Sequence, residues 1–197
     1  TMQKFGQDVV AVVEALDLQD VYLVGHSMGG AAVLEAANAI PDRVAAVIFV
    51  DIFQDPKQQY TEEFIQGWIA NVKVAFTDLE ALRPFIAQDA PDSLVQKALQ
   101  LPPETIPDFW WEAVSRFFRW CNTDLTRQLQ RLTVPAAAIN AEDPPTDVAA
   151  VREFAPSFSA RTMAGVGHIG VIWMRLDVFQ QHLTETISKM EAVRAGR

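Results

Sequence analysis

The sequence predicts an α/β protein, a mostly parallel sheet flanked by helices, and three observations carry that prediction. Val21-Tyr22-Leu23-Val24 and Arg43 to Phe53 are apolar, β-branched runs of the kind that form strands buried on both faces. Helical patterns alternate with them in chain order, as strands joined by crossover helices require. A third apolar run, Thr133 to Asn140, appears only after a long stretch without comparable strands. With 50% hydrophobic and 21% charged residues, the 197-residue chain has the balance of a globular protein with a substantial core.

The elements follow in order. Phe5, Val9, Val12, Val13 and Leu16 recur at three- and four-residue steps, which places them on one face of a helix. The polar connection Asp17 to Asp20 leads into the first strand, which stops at Gly25. An alanine-rich helix, Ala31 to Ile40, is ended by Pro41, and the second strand follows. Helical patterns then run over Thr61 to Phe76, Asp78 to Ile86, Pro91 to Leu101 and Ile106 to Trp120. Trp110, Trp111 and Trp120 lie among them beside Phe109, Phe117 and Phe118. These aromatics are expected mainly as packing, with a substrate pocket as the second option. Beyond the third strand come an acidic, proline-rich turn (Ala141 to Asp147), a helix over Val148 to Phe154, a last strand at Ala160 to Ala164, and a closing helix from Leu176 to Val193.

Charge and cysteine content exclude several classes of function. A net charge of −9 would be repelled by a phosphate backbone or an anionic membrane, so the expected partner is a small neutral molecule rather than nucleic acid or membrane. Cys121 is the lone cysteine and there are 3 histidines, which argues against a disulfide framework or a structural metal site and for a cytoplasmic protein. No run reaches the roughly 18 apolar residues that span a bilayer. Thr1 opens directly on a helical pattern with no strand before it, and the expectation is that the chain was either cut from a longer one or has lost its first third.

The chemistry concentrates at Gly25-His26-Ser27-Met28-Gly29, a Gly-x-Ser-x-Gly pattern placed where a buried strand gives way to a helix. A serine at such a turn is held in a strained backbone with its hydroxyl exposed, and small residues are expected at Gly25 and Gly29 because neighbouring backbone comes too close for a β-carbon. The N–H of Met28, at the start of the following helix, is the candidate oxyanion donor. No lysine follows the glycines, which disfavours a phosphate loop. A serine hydroxyl needs a base. His26 is expected to point away from Ser27, and His182 to sit on an exposed face of the last helix. His168, in the loop Gly165-Val166-Gly167-His168-Ile169-Gly170, is the candidate base. The orienting carboxylate should fall between serine and histidine in the chain: Asp143 leads, Glu142 beside it is close behind, and Asp51 is a third option.

Together, GHSMGG, PDRVAAVIFVD, the helical insert, VPAAAIN with its acidic turn, and GVGH resemble the α/β-hydrolase superfamily over essentially the whole chain, closest to its esterase, haloperoxidase-like and carbon–carbon-bond hydrolase members. The resemblance implies a partial α/β-hydrolase fold lacking the amino-terminal strands. Residues 1–53 would form hydrolase core, 54–132 a helical cap, and 133–197 the rest of the core with the acid turn, histidine loop and final helix. It implies a serine hydrolase cleaving a small ester-like or activated carbonyl substrate, with neither metal nor organic cofactor. Two departures stand out. The offset that holds the catalytic aspartate in relatives is occupied by Pro144, and Ile169-Gly170 replaces an aromatic-Pro pair. The second oxyanion donor of relatives comes from a segment upstream of anything in this chain. The alternatives are a hydrolase-fold binding protein or inactive remnant, and an acyltransferase using the same residues.

Overall fold

The computed structural model describes residues 1–100 and 108–195. Its centre is a four-stranded parallel sheet of β1 (Val21–His26), β2 (Val44–Val50), β3 (Ala136–Ala141) and β4 (Ser159–Met163), whose spatial order β1-β2-β3-β4 is also the order in the chain. β2 and β3 are buried along their whole length, because a parallel sheet covered on both faces leaves no side chain of a central strand in water. Alternate residues of β2 therefore feed two cores. Val47 and Phe49 pack with α1 (Met2–Ala15), α2 (Met28–Ala39), Trp120 and Phe158. Ala46, Ile48 and Val50 pack with Val171 and Met190 on the other face.

α1 and α2 lie close enough that a β-carbon on Gly6 would meet Glu35 Cβ at 2.6 Å. Between β2 and β3 run α3 (Glu62–Ala75), α4 (Leu79–Ile86), α5 (Asp92–Leu99), α6 (Asp108–Thr123) and α7 (Leu125–Arg131). Thr61 and Asp78 cap the first two of these, each side chain accepting from the backbone N–H three residues on. Ile65, Ile69 and Val72 of α3 pack on Trp111, Val114 and Phe118 of α6, while α4 and α5 form a separate cluster around Leu82, Ile86 and Val95. The chain ends with α8 (Val148–Arg152), β4, the single turn α9 (Gly170–Trp173) and α10 (Leu176–Ala195).

Several boundaries differ from the sequence reading. α2 begins at Met28 rather than Ala31, because Ser27 itself is the N-cap and the glycines sit in the first turn. β2 stops at Val50, with Asp51 and Phe53 in positive-φ turns that no strand can hold. α7 and α9 were not foreseen, and α8 ends before Phe154. The foreseen helix ends at Leu101 and Ile106 lie outside the described residues. Among the described residues, no helix is long and apolar enough to cross a membrane.

Candidate active site

Ser27 stands between β1 and α2 with φ 54° and ψ −132°, a left-handed conformation that costs a non-glycine residue about 1–3 kcal/mol. What holds it there is tight packing of the turn. Its N–H donates to Val50 O at 3.0 Å, and a β-carbon on Gly25 would come within 2.4 Å of Gly29 O. Glycine is thus required at position 25, as expected. The same expectation fails at Gly29, where a β-carbon would meet nothing within 4 Å. The crowding is one-sided: Gly29 is the backbone that a side chain at position 25 would strike, while its own open side belongs to the cavity described below.

His168 reaches this serine from the far end of the chain, its Nε2 lying 2.9 Å from Ser27 Oγ. The other ring nitrogen, Nδ1, is 2.6 Å from Asp51 Oδ2. The carboxylate in the line is therefore Asp51, and neither Asp143 nor Glu142 touches the imidazole. Strand register explains why. His26 pairs with Val50, so Ser27 and Asp51 are the first residues beyond two adjacent strand ends and emerge side by side. Asp51 is buried, and its Oδ1 accepts from Ala141 N at 2.8 Å and Gln54 Nε2 at 3.2 Å. Asp143 is exposed at the cavity, and exposed Glu142 accepts from Gly165 N at 2.9 Å.

The end of β3 instead contributes support that sequence reasoning missed. Asn140 is fully buried and clamps the segment after Asp51, accepting from Ile52 N at 3.2 Å and donating to Ile52 O at 3.3 Å and Thr146 Oγ1 at 2.9 Å. An asparagine ending an otherwise apolar buried run was the available signal, since a buried amide must find partners.

His26 does not bond Ser27, but it does not turn away from the site either. Its Nε2 lies 2.8 Å from His168 O, and the two rings sit 4.7 Å apart. Burial, and then the neighbouring His168, push the pKa of His26 below its ordinary 6.5, so the neutral ring donates Nε2–H to that carbonyl. His182, expected on an exposed face, is half-buried in α10, with Nδ1 buried and without a partner among the described residues.

The line of side chains opens on a cavity of about 840 Å³ walled chiefly by Phe64, Trp68, Phe85, Trp110, Phe117 and Phe118. The aromatic run thus divides. Trp110, Phe117 and Phe118 reach the cavity, whereas Trp111 is buried against α3 and Trp120 against Phe53, its indole N–H donating to Glu35 at 2.7 Å. Met28 also lines the cavity, and as the first residue of α2 its N–H has no acceptor within the helix. Two other wall residues stay protonated at neutral pH: burial pushes Tyr60 up to about 12 and pushes the Cys121 thiol up as well. The buried Cys121 is accordingly held as a thiol rather than a reactive thiolate.

A parallel sheet with a strained serine at one strand end, a histidine loop at another and a buried aspartate between them defines a class of α/β proteins. The family model described as alpha/beta hydrolase fold matches residues 1–169, and the chain belongs to that family. It is 27% identical over 166 residues to the non-heme chloroperoxidase of Streptomyces lividans, covering 72% of this chain and 56% of that one. Over 53 residues it is 36% identical to the carbendazim hydrolyzing esterase of Nocardioides sp. (strain SG-4G), covering 27% of this chain and 22% of that one. A solved carboxylesterase structure from the thaumarchaeon Nitrososphaera gargenis superposes with a TM-score of 0.73 at 18% identity, covering 98% of this chain and 73% of that one. The chain spans 22% to 56% of the length of the curated relatives it matches.

Proposed function

We propose that the chain carries the catalytic residues of a serine hydrolase that cleaves small, apolar ester-like substrates through an acyl-enzyme, with Ser27 as nucleophile, His168 as base and Asp51 as the orienting acid. The observation that carries this reading is the continuous line from Ser27 Oγ through His168 to Asp51, opening on an aromatic cavity. Ser27 Oγ attacks the substrate carbonyl as its proton passes to His168 Nε2. Asp51, already holding Nδ1–H, stabilises the imidazolium, and the Met28 N–H faces the developing oxyanion. The proton then goes to the leaving alkoxide as the C–O bond breaks. Water, deprotonated by the same imidazole, attacks the acyl-enzyme, and the imidazolium returns that proton to Ser27 Oγ as the acyl C–O bond breaks and the acid is released. Residues 54–132 act as the cap over this site, and their aromatic wall suits an acyl group without charge.

Intact-mass analysis after incubation with a fluorophosphonate tests the reading. A single adduct on the wild-type chain that is absent from Ser27→Ala is the expected result. A folded chain that forms no adduct would leave the site as a binding relic, and the hydrolase reading would fall. Because the chain is shorter than its relatives, the same assay on a form extended upstream of Thr1 reports whether a second oxyanion donor raises the rate.

A further inference from the structure

We infer that helix α4, in the segment between β2 and β3, sets the position of His168, so that part of the cavity wall and the base move as one body. Gly167 and Gly170 are the positioning residues that permit this. The inference rests on the reading of His168 as base.

Two backbone hydrogen bonds bracket the histidine. Gly167 N donates to Ile86 O at 2.8 Å and Ile169 N to Phe85 O at 2.6 Å. Both acceptors are the last residues of α4, where helix geometry leaves carbonyls without intrahelical partners. The approach is close enough to demand glycine. A β-carbon on Gly170 would sit 1.6 Å from Ile86 O, and one on Gly167 2.0 Å from Pro84 O, both backbone atoms that no rotamer change can clear. Ile169 and Trp173 complete the junction by packing on the α4–α5 cluster around Leu82, Ile86 and Val95.

The sheet side holds the histidine largely by side chains: Asp51 on the ring, His26 on the carbonyl, and exposed Glu142 on Gly165 N. The glycine-rich loop is therefore a docked one, and its backbone anchors lie in α4. Phe85 joins the two roles, since its side chain lines the cavity while its carbonyl holds the residue next to His168. A substrate that displaces α4 displaces the base, and one that fits beneath it leaves the base in line.

The test uses two variants of the full chain, neither of them in the lining of the cavity. Asp78→Ala removes the exposed N-cap of α4, whose carboxylate accepts from Ala81 N at 2.8 Å. Amide exchange in α4 should accelerate about fivefold, the size of an ordinary capping loss, and the Gly167 and Ile169 amides should accelerate with it. Gly170→Ala should lower kcat for p-nitrophenyl butyrate at least tenfold with little change in KM, and added imidazole should restore part of the lost rate above its own background. Gly67→Ala, where a β-carbon meets nothing within 4 Å, is the control. Gly167 and Ile169 amides that stay protected while α4 loosens would overturn the inference, as would an undiminished kcat in Gly170→Ala. If the wild-type chain neither turns over ester nor takes a fluorophosphonate, the hydrolase reading fails, and if Gly170→Ala does not fold, exchange in Asp78→Ala still decides the docking.

Discussion

Two aspartates border the same cavity, and desolvation separates them. Asp51 is buried, with one oxygen on a backbone amide and the other on an imidazole, whereas Asp143 is exposed to solvent that screens its charge. Replacing Asp51 by Asn should cost roughly a thousandfold or more in kcat, because the amide can neither stabilise the imidazolium nor enforce its tautomer. Asp143→Asn and Glu142→Gln should leave kcat close to wild type, and steady-state ester hydrolysis compares all three. His26 yields a prediction on stability. With its pKa lowered in the folded chain, it must bind its proton chiefly in the unfolded state, so its contribution is complete above about pH 6.5 and is lost as pH falls toward the folded value. Urea unfolding from pH 8 to 5 should show a smaller acid loss in His26→Gln than in wild type. Ser27 and His168 were legible in sequence because a glycine-flanked serine at a strand end and a histidine after the last strand are local signals. Asp51 was only a third option, since its place beside Ser27 and His168 depends on how β2 registers against β1, and no local pattern records register.

At the scale of elements, the turn at Ser27 is braced by contacts whose cost can be measured separately. Gly25→Ala drives a methyl group into the Gly29 backbone and should destabilise the fold by about 2–3 kcal/mol. Gly29→Ala, opening toward the cavity, should change stability by less than about 0.5 kcal/mol, and urea midpoints distinguish the two. The sheet could be read because strands buried on both faces are written as unbroken apolar runs, as in Val44–Val50. α7 and α9 could not. Seven and four residues are too few to establish a helical period, and their conformation is imposed by the packing of Leu125 and Leu129 on α2 and β2 and of Val171 on β3.

In the whole molecule, β1 pairs with β2 alone and is a free edge of the described sheet. Val24 on that strand is 43% exposed, and Val12 and Leu16 on α1 are 56% and 64% exposed. For these 197 residues on their own, such an edge is a template for association, opposed by a net charge of −9. Light scattering should therefore show a hydrodynamic radius that grows with protein concentration and with added salt. The double variant Leu16→Lys and Val24→Lys should suppress that growth; if it does not, the edge is not the contact.

The matching of chain order and spatial order in the sheet bears on how the protein is made. As the polypeptide leaves the ribosome, each new strand finds its neighbour already in place, so the sheet can be laid down from one side to the other without waiting for a later piece. The chemistry does not follow that schedule. Ser27 and Asp51 come together as soon as β1 and β2 pair, but His168 lies 141 residues beyond the serine. While those 141 residues are added, the nascent chain holds the serine and the aspartate side by side without the imidazole that joins them.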